Sequence, residues 1–312
     1  MRIVFWGTPD FALPGLNAIL GEGHEVLAVV TQPDRPAGRG RHVRHPAVKA
    51  FAVAESIPVL QPERTRDPEF VAALRELAPE LSVVIAYGRI LNRELLELPE
   101  RGSINVHASL LPELRGAAPI NWAIMRGFTE TGVTVMRMAE RMDAGPILFQ
   151  TKEPILPDER ASDLWLRLSE IGAAALIEAL ALMEAGALEE RAQDEAGATF
   201  APRIERADAH IDWSRHPIEL DRFLRGLDEV PGAWSTIGGS EIKLFRPRIG
   251  EEGSGEPGAV LDVHAQDEAD GVLVACGPGS LWVREVQPAG KRRMTAAEWA
   301  RGRGVQVGDR FV

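Results

Sequence analysis

Hydrophobic and polar positions follow one rhythm along the first two-thirds of the chain and another along the last third. Residues 2–7 (RIVFWG) form a short apolar run that closes on Gly7, the pattern of a strand buried on both faces. Thr8, Pro9 and Asp10 supply helix-start chemistry before an apolar-periodic stretch at 11–20. Beyond Gly23, residues 24–31 read as a second strand, and the alternation continues as helix 46–55, strand 57–61, helix 67–77 and strand 81–87. Residues 103–108 alternate as a further strand, and an Ala- and Leu-rich period over 161–187 predicts a long helix. This succession predicts an α/β fold: an N-terminal Rossmann-like, mostly parallel sheet with helices on both faces and right-handed crossovers. Such sheets bind ligands beyond the C-terminal ends of their strands, where the strand order reverses.

From 189 to 208 the chain turns polar and loses its period, as a linker does. One helix is predicted at 217–226. Short strands at 234–236, 241–248, 259–263, 272–275 and 280–286 then follow, separated by Gly and Pro turns. Close-set short strands predict a smaller C-terminal OB-like β-barrel domain. The expected organisation is residues 1–188, a linker at 189–208, and residues 209–312.

Composition narrows the field. The 312 residues are 45% hydrophobic and 26% charged, enough apolar content for a sizeable core. A single cysteine, Cys276, excludes an intramolecular disulfide and a thiolate metal cage. The scattered His24, His210, His216 and His264 have no metal-ligand spacing, and His42 and His45 lack partners for zinc, so no metal is expected. No stretch approaches the roughly 18 uncharged apolar residues of a membrane span. Residues 1–5 run directly into a strand without room for a signal peptide, so the expectation is a cytoplasmic monomer. The first turn, Gly7-Thr8-Pro9-Asp10-Phe11, lacks the second glycine of G-x-G-x-x-G, and Thr31-Gln32-Pro33 offers no acid for a ribose. Nicotinamide chemistry is therefore not expected. Gly7 is instead expected to let the loop approach whatever is bound.

The chemistry concentrates near residue 105. In the 103–108 strand, Ile104 and Val106 share one face while Asn105 and His107 share the other. By pattern alone, the two polar side chains either face a cleft or satisfy neighbouring backbone as core polar groups. Ser109-Leu110-Leu111-Pro112, followed by Arg115-Gly116 and Pro119, resembles the S-L-L-P-x-x-R-G-x-x-P signature of the folate-dependent formyltransferases. The resemblance implies that Asn105 and His107 are catalytic, completed by Asp143 in Met142-Asp143-Ala144-Gly145-Pro146, 36 residues beyond His107.

The resemblance covers essentially the whole chain and is nearest to members of that family acting on methionyl initiator tRNA. It is carried by Phe5-Trp6-Gly7-Thr8-Pro9, Thr31-Gln32-Pro33-Asp34-Arg35, Ile211-Asp212-Trp213 and Gln287-Pro288-Ala289-Gly290-Lys291. Two places depart from it: Asp228-Glu229-Val230, where an aromatic is expected, and His42-Val43-Arg44-His45, where a lysine is expected. The implied reaction moves a formyl group from 10-formyltetrahydrofolate to the α-amine of methionyl initiator tRNA. The rivals are transfer to a small amine (glycinamide ribonucleotide or an amino sugar) and a noncatalytic RNA-binding protein on the same fold. Asn105 and His107 would donate to the formyl oxygen as charge grows there, and Asp143 would favour a charged imidazole or relay a proton. Ser109, Leu110, Leu111 and Pro112 would form wall and backbone partners for the pterin. Arg115 would either pair with an anionic part of a substrate or hold its own loop.

The formal charge of −11 argues against a general nucleic-acid surface. Residues 206–312 carry 14 basic and 17 acidic side chains, so the second domain is not basic either. Positive charge is instead local. Over 34–49, Arg35, Arg39, Arg41, Arg44 and Lys49 stand against Asp34, all but Lys49 in a structureless loop at 33–46, and Lys291, Arg292 and Arg293 form a second cluster near Arg301 and Arg303. Both are candidate tRNA phosphate contacts, the alternative for the loop being a merely solvated surface.

Overall fold

A computed structural model describes residues 1–37, 42–250, 253, 255–265 and 271–312. The chain packs as two compact units. One comprises Met1–Pro119, Glu130–Pro154 and Trp165–Pro202; the other comprises Ile120–Thr129, Ile155–Leu164 and Arg203–Val312.

The first unit opens with β1 (Arg2–Gly7), α1 (Leu13–Gly21) and β2 (Glu25–Val30). A short antiparallel ribbon of β3 (Arg35–Ala37) and β4 (His42–Arg44) follows, then α2 (Ala47–Ala54) and β5 (Val59–Leu60). Next come α3 (Pro68–Leu77), β6 (Leu81–Ile85), α4 (Arg93–Leu96) and β7 (Ser103–His107). Asp67 caps α3 and Asn92 caps α4, each accepting a backbone N–H through its side-chain oxygen. Residues 120–125 of α5 (Pro119–Met125) belong to the second unit; β8 (Glu130–Arg137), β9 (Ile147–Pro154) and, from Trp165 onward, the 24-residue α6 (Ala161–Glu184) belong to the first.

The seven-stranded sheet runs β5-β2-β1-β6-β7-β8-β9. The five strands from β5 to β7 are parallel, and β8 and β9 extend the sheet antiparallel, so the expected mostly parallel α/β sheet is present. Trp6 and Val84 pack on one face with Val71 and Leu74 of α3 and Leu95 and Leu96 of α4. On the other face Gly15 of α1 abuts Ile85, and Gly172 of α6 abuts Val106 and Val133. Helices thus lie on both faces.

The second unit contains α7 (Pro217–Gly226), β10 (Trp234–Ile237), β11 (Ser240–Ile249), β12 (Val260–Val263), β13 (Val272–Cys276), β14 (Gly279–Pro288), β15 (Met294–Thr295) and α8 (Ala296–Arg301). Its antiparallel order is β10-β11-β14-β13-β12. Residues 310 and 311 bridge Ala259 beside β12 and Ile237 of β10, so the C-terminal tail contacts both edges of this antiparallel half-barrel. Trp213, Leu224, Leu244, Val274, Leu281 and Phe311 are among the buried residues of its core.

Candidate active site

The strand-order reversal lies between β1 and β6, and there the protein fills its own crevice. Thr8 Oγ1 donates to the Tyr87 carbonyl at 3.1 Å, and Gln32 Nε2 donates to the same oxygen at 2.9 Å. A Cβ on Gly7 would lie 2.8 Å from the Ala12 Cβ and 3.1 Å from the Ile85 carbonyl oxygen. Internal packing alone therefore requires glycine at position 7.

The polar cluster lies further along the sheet. Because β7 alternates, Val106 points to Gly172 of α6, and Asn105 and His107 project from the opposite face. His107, 6% exposed, donates from Nε2 to the Leu114 carbonyl at 3.0 Å. A carbonyl only accepts, so the neutral ring carries its proton on Nε2. Its Nδ1 faces Asp143 Oδ2 at 3.7 Å. That carboxylate oxygen also accepts the Gly116 N–H at 2.8 Å. Asp143 occupies the left-handed region at φ +52°, a conformation that surrounding contacts must hold. Asn105 is half-buried, and its amide has no hydrogen bond among the described residues. The structure thus brings Asn105 and His107 onto one face and Asp143 up to the imidazole.

The turn after β7 is tied down from below. Buried Thr134 donates to the Ser109 carbonyl at 2.7 Å and accepts the Leu111 N–H at 3.1 Å. Gln150 Nε2 donates to the Leu111 carbonyl at 2.9 Å, and Ser109 Oγ donates to the Glu113 carbonyl at 2.6 Å. Leu111 packs with Met136 and Ile147, and Leu110 lies over Gly132. The Pro112 carbonyl accepts from Thr199 N at 3.3 Å.

Arg115 is 2% exposed and holds its own loop. Its Nε and Nη2 donate to Gln193 Oε1 at 3.1 and 2.7 Å, while Nη1 and Nη2 reach Glu195 at 3.2 and 3.0 Å. Arg115, with Arg141 beside it, holds the Glu195 carboxyl below its usual range. At Gly116, φ +125°, a Cβ would lie 2.5 Å from the Ala201 carbonyl oxygen, so only glycine fits.

The basic segments are more ordered than their composition implies. Residues 35–37 and 42–44 pair as the β3–β4 ribbon, which corrects the expectation of a structureless loop across 33–46: backbone groups there find cross-strand partners. Arg35 is exposed at its base. Arg39 and Arg41 lie outside the described residues, and Arg44 is placed only as far as its backbone in β4. Lys49 is engaged with Asp34 at 2.6 Å, and Asp34 also accepts from Gln61 at 2.9 Å and meets His45 at 2.9 Å. Hydrogen bonds from Gln61 and Lys49 pull the Asp34 carboxyl down to about 2.

In the second unit, Lys291 stands exposed without an ammonium partner among the described residues. Arg292 reaches Glu298 from an exposed position. Arg293 is turned inward: it binds Asp228 at 2.9 and 3.2 Å and Glu285 at 2.5 Å, and stacks 3.9 Å over the Phe245 ring. Asp228, in the 228–230 stretch where an aromatic is expected, is buried and also meets Arg160 at 3.4 Å.

Comparison with known proteins gives the family. Residues 1–180 match the formyl transferase family, and residues 203–304 match the formyl transferase C-terminal domain. A methionyl-tRNA formyltransferase of Geobacter sulfurreducens is 45% identical over 311 residues, covering all of this chain and 96% of the relative. The chain belongs to the methionyl-tRNA formyltransferase family. A second member, from Symbiobacterium thermophilum, is 47% identical over all of this chain and 95% of its own. Among solved structures, HypX from Aquifex aeolicus in complex with tetrahydrofolic acid shares the fold with a TM-score of 0.68 at 23% identity. This chain is covered to 96% by that match and spans 46% of HypX.

Within the formyltransferase frame, sequence reasoning missed Thr134, Gln150 and Gln193. Thr134 and Gln150 face each other across β8 and β9, and the signal was a polar residue inside the apolar run VTVM. Gln193 sits in the polar, aperiodic stretch after α6, where no periodicity marks an individual residue.

Proposed function

We propose that this protein transfers the formyl group of 10-formyltetrahydrofolate to the α-amino group of methionyl initiator tRNA for translation initiation. The observation that carries the assignment of roles is the orientation of His107: Nε2–H is engaged by a backbone carbonyl, so Nδ1 is presented to Asp143 beside the unengaged Asn105 amide. The amine nitrogen bonds to the formyl carbon, and negative charge gathers on the formyl oxygen. The Asn105 amide is the donor for that oxygen, an interaction worth about 10²–10³ in rate. His107 receives the amine proton at Nδ1, and the Asp143 carboxylate stabilises the resulting imidazolium. The bond to N10 then breaks, and the proton passes to N10 of the departing tetrahydrofolate. The cosubstrate lies against the 109–112 turn, whose Ser109 and Leu111 are buried and whose backbone is fixed by Thr134 and Gln150.

The tRNA phosphates are met by Arg35 and Arg44 of the β3–β4 ribbon, by Arg39 and Arg41 between them in the sequence, and by Lys291 and Arg292; Arg293, the third cation of that cluster, is instead committed to Asp228 and Glu285. Of these, Arg35 and Lys291 are exposed and have no side-chain partner among the described residues. Among the described residues no helix is long and apolar enough to cross a membrane, and we place the activity in the cytoplasm, performed by a monomer. The test incubates the protein with labelled 10-formyltetrahydrofolate and, in parallel, charged initiator tRNA, glycinamide ribonucleotide or an amino sugar. Label in the tRNA fraction alone is expected; label in a small amine in preference to tRNA would overturn the assignment.

A further inference from the structure

We propose that Gln193 is a positioning residue for Asp143, the structural clamp that holds its carboxylate against His107. The proposal rests on the reading of Asp143 as catalytic. Gln193 lies nine residues beyond the end of α6 and uses its whole amide. Nε2 donates to the Asp143 carbonyl at 2.9 Å and to the Gly145 carbonyl at 2.8 Å, while Oε1 accepts twice from Arg115, at 3.1 and 2.7 Å. Two donor hydrogens and two lone pairs are the full capacity of a primary amide.

These bonds close a ring around the acid. Arg115 is covalently followed by Gly116, whose N–H binds Asp143 Oδ2 at 2.8 Å. One side chain therefore ties the backbone of 143–145 to the peptide that grips the carboxylate. The loop also passes close to β8: a Cβ at Gly145 would lie 2.0 Å from the Arg137 carbonyl oxygen. A left-handed aspartate persists only where such contacts over-determine it. Without the two Nε2 donors, the 143–145 backbone relaxes and carries the carboxylate away from Nδ1. A displacement of about 1 Å in a catalytic group costs about 10²-fold in rate.

The ends of the amide can be separated. Gln193→Glu keeps an acceptor for Arg115 but sets a carboxylate against the two loop carbonyls. If Gln193 serves only to satisfy Arg115, this variant turns over like the parent. If it clamps the loop, kcat falls by about 10- to 100-fold, with KM for both substrates changed by less than about threefold. The decisive measurement is a double-mutant cycle with Asp143→Asn. Residues acting through one group are non-additive, so Gln193→Glu should produce no further loss in the Asp143→Asn background. A parental kcat for Gln193→Glu beside an inactive Asp143→Asn would overturn the clamp and leave the catalytic reading intact. A full additional loss in the double variant would assign Gln193 a separate role and also overturn it. Normal turnover by Asp143→Asn would remove the reading on which the clamp rests. Gln193→Met enters the same cycle if the Glu variant does not fold, and failure of both to fold would make Gln193 a fold residue only.

Discussion

The β7 face of the first unit and the basic segment 291–293 of the second were both singled out from charge and motif, yet the structure treats them differently. Around Asp143 the neighbouring polar groups are bound to one another, while the Asn105 amide and His107 Nδ1 carry no hydrogen bond among the described residues. In the basic segment, adjacent residues diverge: Arg293 is folded onto Asp228 and Glu285, while Lys291 faces solvent. A count of cations cannot separate a phosphate contact from the partner of a buried carboxylate. What the two segments differ in is availability: which polar groups the fold has already engaged.

The sharpest way to break this contrast is at the site itself. Replacing Asn105 by Ala should lower kcat by about 10²–10³, and His107→Ala by about 10²–10⁴, each with an unfolding midpoint close to the parent's. Near-normal formylation by either folded variant would return that residue to the supporting class.

The second test exchanges the roles of Arg293 and Lys291. Arg293→Met leaves the buried Asp228 carboxylate with Arg160 alone and should destabilise the fold by about 3 kcal/mol. Denaturant titration measures this, and the affinity for tRNA should change little in the protein that remains folded. Lys291→Ala should do the reverse: unchanged stability, KM for tRNA raised about twofold, and a salt-dependence slope smaller by about 1. Equal effects of the two substitutions on tRNA binding would erase the distinction.

A smaller effect concerns the base of the β3–β4 ribbon. The Asp34 carboxyl titrates at about 2 in the folded protein, below the ~3.9 of an unfolded chain. Its contribution to stability is therefore complete above the unfolded value and is lost as pH falls from about 4 towards 2. Titration followed at the Asp34 side-chain carbon by NMR should show this, and a normal midpoint would mean that Gln61 and Lys49 do not hold it. Smallest of all is Cys276, which is 1% exposed and pushed up to about 11 by burial. It should resist thiol reagents at pH 8 until the protein is unfolded.

Much of this was legible in the chain. The rhythm of 2–7, 24–31 and 81–87 became β1, β2 and β6, and the helix expected at 217–226 is α7 at the same residues. Strands β8 and β9 were not expected. Their order in the sheet depends on pairing with β7 and with each other, which local patterning does not report. At the site, Asn105 and His107 were placed on one face by the period of two alone. The approach of Asp143 required the family signature, because a loop residue 36 positions away has no periodic relation to a strand.

What the sequence determined by itself is therefore the alternation that makes the two folds, the side-chain types at 105, 107 and 143, and the family to which they belong. Tertiary structure alone decided which polar groups are engaged. Arg115 became a loop anchor, Arg293 the partner of Asp228, and Gln193 the link between Arg115 and the Asp143 loop. The reason is physical. Periodicity follows from the geometry of a single helix or strand, whereas a hydrogen bond between residues 50 or more positions apart exists only after the chain has folded them together.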